Sequence, residues 1–353
     1  MKLNNVLLNL VLIIFLFLFV QRSTYSQSSV GVTLQEVASS NNLWTGVAIS
    51  IEGRIFVNYP RWSSETTFSV GEIKESGEIL PYPNAEWNNW LPTSRVSSHF
   101  QCVQSVYIDQ KNYLWILDTG NPFFHGVVDS SARLFKYDLT NNELIQTIIF
   151  DSIVAPQNSY LNDVRVDTEL GFAYITDSNV GAIVIVNLNT CESKRLLNQH
   201  YSTLAEDIIV TVEGNPFPNK VHSDGIALTP DGNYLYYKAL TGKKLFRIKT
   251  TYLRNSSDNL DVKDKVEFVA ETYATDAIAF DSKANLYLSS IEYNAIHVLD
   301  SRGNLKLLIQ DEQLKWPDSF SITPDDIVYV TTSQLHLGFN PPQPYKIFRL
   351  VNE

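Results

Sequence analysis

Leu161-Asn162-Asp163-Val164-Arg165-Val166-Asp167, followed by Phe172-Ala173-Tyr174-Ile175-Thr176-Asp177, decides the fold. Val164 and Val166 alternate with polar residues, the period-two pattern of a half-buried strand. A turn at Glu169-Leu170-Gly171 leads into a second β-rich run. The same design recurs six times. Thr45-Gly46-Val47 leads into Ile55-Phe56-Val57, and Gln104-Ser105-Val106 into Leu114-Trp115-Ile116. Asn162-Asp163-Val164 leads into Tyr174-Ile175, and Asp224-Gly225-Ile226 into Leu235-Tyr236-Tyr237. Asp276-Ala277-Ile278 leads into Leu286-Tyr287-Leu288, and Asp318-Ser319-Phe320 into Val328-Tyr329-Val330. The copies are 59, 58, 62, 52 and 42 residues apart. Repeats of roughly 40–60 residues, each holding several short strands, define a β-propeller. Six copies predict an all-β, six-bladed one.

The spacing also says how the ring closes. Blade six provides three strands from its own segment before the chain stops, near residues 319–323, 327–332 and 345–350. A free edge there would be an aggregation hazard. Residues 32–37 form a strand with no other assignment, so the propeller is expected to be closed by this N-terminal strand. Two long connections stand out: residues 81–101, with Trp87 and Trp90, and residues 198–218, with a helical turn expected at 202–207. Loops of that length are usually functional. Both are expected to rise above one mouth of the channel, although the aromatics of the first also suit plugging a junction between blades.

Lys2 precedes an apolar run over residues 6–20, broken only by Asn9. At this length it is short for a membrane span, which needs about 20 residues, and fits a secretory signal. Small residues at Thr24 and Ser26 suit cleavage after Ser26. The expected organisation is a signal peptide over residues 1–26 and a propeller over 27–353. The location is then extracellular, or periplasmic in a Gram-negative bacterium, with no stable membrane span after cleavage. With 27 basic against 38 acidic residues and a net charge of −11, the chain lacks the basic surface that nucleic acid requires. The expected partner is a small-molecule ligand. Cys102 and Cys191 fall at opposite ends of their blades and are not expected to pair. Asn255-Ser256-Ser257 is a glycosylation sequon.

The chemistry sits in one column of the repeat. Every inner strand starts at the same end of the channel, so the residue two places before its first apolar position should reach the mouth. Those residues are Thr45, Gln104, Asn162, Asp224, Asp276 and Asp318. All are polar and three are carboxylates. Such a ring suits a hard cation such as Ca²⁺ or Mn²⁺, an amine, or a polar ligand. Packed carboxylates resist joint ionisation, so a cation or a shared proton is expected among them. The same residue types before a strand also satisfy turn N–H groups and nothing more. No GxSxG, P-loop, HExxH or CxxC pattern occurs, and no catalytic residue is assigned. His336 follows an inner-strand pair and is read as a surface-loop histidine.

Leu114-Trp115-Ile116-Leu117-Asp118-Thr119-Gly120, Leu161-Asn162-Asp163-Val164, Ser223-Asp224-Gly225-Ile226-Ala227-Leu228, Leu235-Tyr236-Tyr237-Lys238-Ala239-Leu240-Thr241 and Trp316-Pro317-Asp318-Ser319-Phe320 resemble the yellow and major royal jelly protein family. The likeness runs from about Trp44 to Leu350. It implies a secreted six-bladed propeller. Some members of that family are linked to dopachrome conversion, and some bind biogenic amines at the channel mouth. A more distant likeness is to gluconolactonases and regucalcin. It implies a divalent metal on Asn162, Asp224 and Asp276, with Thr45 standing where that family has Glu and Asp224 where it has Asn. Two enzymatic alternatives follow from the resemblances: a metal-dependent lactonase, and a dopachrome-type isomerase with Asp224 or Asp276 moving protons.

Overall fold

The structure, a computed structural model, describes residues 31–352. The expected signal peptide lies outside the described residues. Six four-stranded antiparallel sheets form the blades of a propeller, joined by one extra two-stranded hairpin. Blade one holds Gly46–Ile49, Ile55–Asn58, Val70–Ile73 and Ile79–Pro81. Blade two holds Val103–Ile108, Tyr113–Asp118, Arg133–Asp138 and Glu143–Ile149. Blade three holds Leu161–Asp167, Phe172–Asp177, Ala182–Asn187 and Ser193–Leu196. Blade four holds Ser223–Leu228, Tyr234–Ala239, Lys244–Lys249 and Glu267–Glu271. Blade five holds Ile278–Phe280, Leu286–Ser290, Ala295–Leu299 and Leu305–Gln310.

Blade six is built from both chain ends. Pro317–Ile322, Val328–Thr332 and Tyr345–Asn352 are completed by Val32–Ser40. The closing strand runs antiparallel from Val32 opposite Asn352 to Ser40 opposite Tyr345, with one bulge between Glu36 and Ala38. Lys346 Nζ reaches Glu36 Oε2 at 2.7 Å on the exposed side. The N-terminal closure expected from the repeat count is therefore present, with Val32–Ser40 as the outermost strand of blade six.

Because the strands alternate, one face of each blade packs on the next. Leu117, Leu134 and Ile148 of blade two meet Val164, Ile175 and Val184 of blade three in one core cluster. Tyr174 and Ile185 of blade three meet Tyr237 and Ile248 of blade four in another. Burying each such side chain contributes about 1.5–3 kcal/mol. Asp118 and Asp177, the last residues of the second strands of blades two and three, are fully buried and do a second job. Asp118 accepts from the N–H groups of Gln101, Cys102 and Gly120 and pairs with Arg133 at 3.0 Å. Asp177 accepts from Ser159 and Tyr160 and pairs with Arg195 at 2.8 Å. Each aspartate thus clamps the segment that leads into its own inner strand.

Residues 81–101 do not line the mouth. Trp87 packs on Phe100 and Phe135 inside the interface of blades one and two, the junction-plugging role. Residues 202–207 hold no helix, while Val210–Val212 and Asn215–Phe217 form the extra hairpin. Cys102 is buried and Cys191 is exposed between the third and fourth strands of its blade. Among the described residues no helix is long and apolar enough to cross a membrane.

Candidate functional site

The inner strands do not start cleanly, and that irregularity builds the site. The pairing register slips between Val103 and Ser105, between Leu161 and Val164, between Ser223 and Ile226, and between Pro317 and Phe320. The residues inside these slips include Gln104, Asn162, Asp224 and Asp318. A bulge re-aims the side chains it carries. Blade five reaches the same result by shortening: its inner strand begins at Ile278, and Ser289 Oγ accepts from the N–H groups of Asp276 and Ala277. Gly225 permits the close approach of blades four and five, since a Cβ there would stand 2.6 Å from the Asp276 carbonyl oxygen. Blade one has no slip.

Gln104, Asn162, Asp224, Asp276 and Asp318 accordingly line one cavity of about 590 Å³ at one mouth of the channel. Thr45 does not reach it. Thr45 lines a small adjoining hollow with Gln104, Asn162, Asp163, Asp276 and Asp318. Its hydroxyl accepts from Asn58 Nδ2 of its own blade at 2.8 Å and donates to the Gln104 carbonyl of blade two at 3.4 Å. Five of the six expected ring residues line the larger cavity, and Thr45 meets four of them in the small hollow. Below the ring Asp163 accepts from Ser105 Oγ at 2.9 Å and lies 3.7 Å from Arg165. Arg165 also donates to the Ile278 carbonyl across the channel. It lines a second hollow of about 410 Å³ formed by the far ends of the inner strands.

The walls above the floor are aromatic. Trp62, Phe124 and Tyr160 stack in series, with ring centroids 5.7 and 5.0 Å apart. Tyr160 donates to Gln104 Oε1 at 2.8 Å and accepts from Trp62 Nε1. Phe124 is more than half exposed and is carried there by positive φ at both Phe123 and Phe124, a strain of the kind found at functional sites. The facing wall holds Phe217, Trp316 and Phe339. Sequence reading missed this wall. Its residues lie on connections between strands, where no periodicity marks them. Trp316 adjoins Asp318 and was the one visible signal. His336, read as a surface residue, has a fully buried side chain stacked on Trp316.

The floor is short of positive charge. Asp224 and Asp318 are held well above the usual carboxylate range, first by burial and then by the charge of Asp276. Burial also raises Asp276, to about 7, against the lowering effect of the Trp316 indole N–H at 2.7 Å. Asn162 Nδ2 donates to Asp224 at 2.6 Å. Asp224, Asp276 and Asp318 have no Lys, Arg or His counter-ion among the described residues. Lys220 stands at the rim but pairs with Asp207.

A divalent cation needs several oxygens converging on one point. Here Asn162 turns an N–H toward Asp224, an indole N–H occupies one oxygen of Asp276, and the Thr45 hydroxyl is engaged between blades. Among the described residues no three His, Cys, Asp or Glu side chains come together to hold a metal ion. The set Asn162, Asp224 and Asp276 does not fit a resident Ca²⁺ or Mn²⁺ centre, and no chemistry is derived through one.

Fold and site together define a six-bladed propeller with an acidic, aromatic-walled cavity at one channel mouth. The chain belongs to the major royal jelly protein family, whose family model matches residues 101–349. It is 23% identical over 284 residues to major royal jelly protein 5 of Apis mellifera, covering 74% of this chain and 46% of that protein. It is 24% identical to major royal jelly protein 6 of the same species, covering 69% and 57%. The chain thus spans about half the length of the curated relatives it matches. Solved structures share the fold at low identity. A gluconolactonase from Xanthomonas campestris aligns with TM-score 0.56 at 13% identity, covering 91% of this chain and 90% of the other. A luciferin-regenerating enzyme aligns with TM-score 0.57 at 11% identity, covering 91% and 95%.

Proposed function

We propose that this protein is an exported binding propeller whose channel-mouth cavity holds a small organic cation with an aromatic or apolar body, an amine or catechol-derived amine. The observation that carries the reading is the trio Asp224, Asp276 and Asp318: three buried carboxylates without a basic partner, beneath two aromatic walls. An ammonium group would supply the missing charge. Aromatic faces favour cations by about 0.5–2 kcal/mol each, and a cavity of this size suits a small ligand. The N-terminal signal pattern and the family membership support the extracellular part of the reading. A thermal-shift panel tests it. Aromatic amines should raise Tm in proportion to occupancy, and the matching carboxylic acids should not. Equal shifts from both would reject the reading.

A second reading, proton-transfer isomerisation of a quinone, is favoured by one observation: Asp276 is raised to about 7 inside the cavity, near the optimum for a general acid–base group. Asp276 would take a proton from a ring-adjacent carbon and Asp224 would return one to the quinone oxygen. Turnover of dopachrome abolished in Asp276→Asn supports it. Lactone hydrolysis, the other enzymatic alternative, has in its favour the shared fold of a gluconolactonase and no feature of the floor that singles it out.

A further inference from the structure

The hairpin inserted between blades three and four pairs Val210 with Phe217 and Val212 with Asn215 across a two-residue turn, Glu213-Gly214. Both turn residues have positive φ, 49° and 82°. Such turns favour Gly, which lacks a Cβ, or Asn and Asp, whose short polar side chains bond locally, because other side chains are strained at positive φ. Glutamate is a poor choice for the turn, so its carboxylate needs another reason.

That carboxylate ties together three separate segments. Oε1 accepts from Asn294 Nδ2 at 2.9 Å, after the second strand of blade five. Oε2 meets His336 Nε2 at 3.0 Å, in the loop after the second strand of blade six. Oε2 also meets Lys315 Nζ at 3.4 Å, just ahead of that blade's inner strand. Burial raises the Glu213 pKa, but the bonds from His336 and Asn294 outweigh it and leave the carboxyl below its usual range.

Beneath these bonds the hairpin lies on the site. Val210 and Val212 are fully buried with Leu240, Ala274, Ile291 and Trp316. Phe217 meets the Trp316 ring edge-on at 4.9 Å. Phe217, Trp316 and Leu335 all line the cavity. His336 stacks parallel to Trp316, and its Nδ1 is buried without a hydrogen-bond partner. Apart from stacking, Glu213 is what holds that ring. A two-stranded hairpin is not stable alone, so its position depends on such ties.

We propose that the hairpin Val210–Phe217 is a lid over the cavity and that Glu213 is its latch, a positioning residue that fixes Trp316 against Asp276 and sets how long a bound cation stays. The retention part rests on the cation reading above; the lid part does not. Glu213→Gly is the decisive variant, because glycine relaxes the turn while deleting the latch, so misfolding of the hairpin itself is disfavoured. Amide exchange of residues 208–217 is measured without ligand, and dissociation of tyramine is followed by stopped flow. The variant should exchange about tenfold faster in that segment, with the blades unchanged. It should release tyramine about tenfold faster with little change in association. Unchanged exchange overturns the latch whatever tyramine does. Faster exchange with an unchanged release rate overturns the retention role. Faster exchange in a protein whose wild type binds no tyramine supports the latch and rejects the cation reading.

Discussion

Trp316 Nε1 lies 2.7 Å from Asp276 Oδ2, and the same indole lines the cavity that Asp276 floors. One side chain thus supplies apolar wall and charge control together. The N–H opposes the effect of burial on Asp276 and keeps its titration near neutrality. A bound cation would complete what the indole begins.

Trp316→Phe keeps a ring in the wall and removes the donor. Asp276 should then titrate higher, and cation affinity at pH 7 should fall by roughly 10- to 150-fold, the value of one hydrogen bond to a charged group. The affinity should recover partly as pH is raised. Calorimetric titration from pH 6 to 9 reads both effects, and a pH-independent loss would contradict the assigned role.

The ligand-free protein should lose stability as pH rises. Asp276 titrates near 7 in the folded chain, against about 4 in the unfolded one. Its folded form keeps a proton that the unfolded form has released, so the associated stability is complete below about pH 4 and is lost as pH climbs through about 7. The slope for one group is at most about 1.4 kcal/mol per pH unit. Asp224 and Asp318, shifted in the same direction, extend the decline upward. Asp276→Asn should flatten the curve between pH 4 and 7. Chemical denaturation across that range is the check, and a rise in stability over the window would refute the cluster's electrostatics.

Asp118 joins three backbone N–H groups and Arg133 in a site with no solvent. Asp118→Ala leaves the guanidinium buried and unpaired and should cost about 3–5 kcal/mol. Combining it with Arg133→Met should recover part of that loss. Equal destabilisation in the single and double variants would show that the backbone clamp, not the ion pair, dominates.

Removing residues 1–40 exposes the Tyr345–Asn352 strand as a free edge. The truncated chain should lose its cooperative melt and associate, as unprotected edges do. Light scattering after size exclusion measures this. A monodisperse monomer melting at the full-length temperature would contradict closure by the N-terminal strand.

The blades were legible because burial on alternating faces imposes a period-two pattern and propeller geometry repeats it six times. The floor was legible for a related reason: Gln104, Asn162, Asp224, Asp276 and Asp318 share one offset from the inner strands. Thr45 shares the offset but lines only the small hollow, where blade one pairs without a register slip and Asn58 holds its hydroxyl. A slip leaves no mark in the hydrophobic pattern. The aromatic walls come from loops that meet only in space. The hairpin at Val210–Phe217 did carry a signal, Val-Thr-Val before Glu-Gly-Asn, hidden by an unusual glutamate in the turn. Likewise His336 looked exposed because nothing local shows that Trp316 and Glu213 enclose it.

The central claim is that the carboxylate floor selects a positive charge. Calorimetric titration of the purified protein with tyramine and with tyrosol, which replaces the ammonium by a hydroxyl, tests it most directly. Tyramine should bind at least about tenfold more tightly than tyrosol, a margin of about 1.4 kcal/mol. Asp276→Asn should erase most of that difference. Equal affinity for the two compounds, or a tyramine preference that survives Asp276→Asn unchanged, would contradict the account.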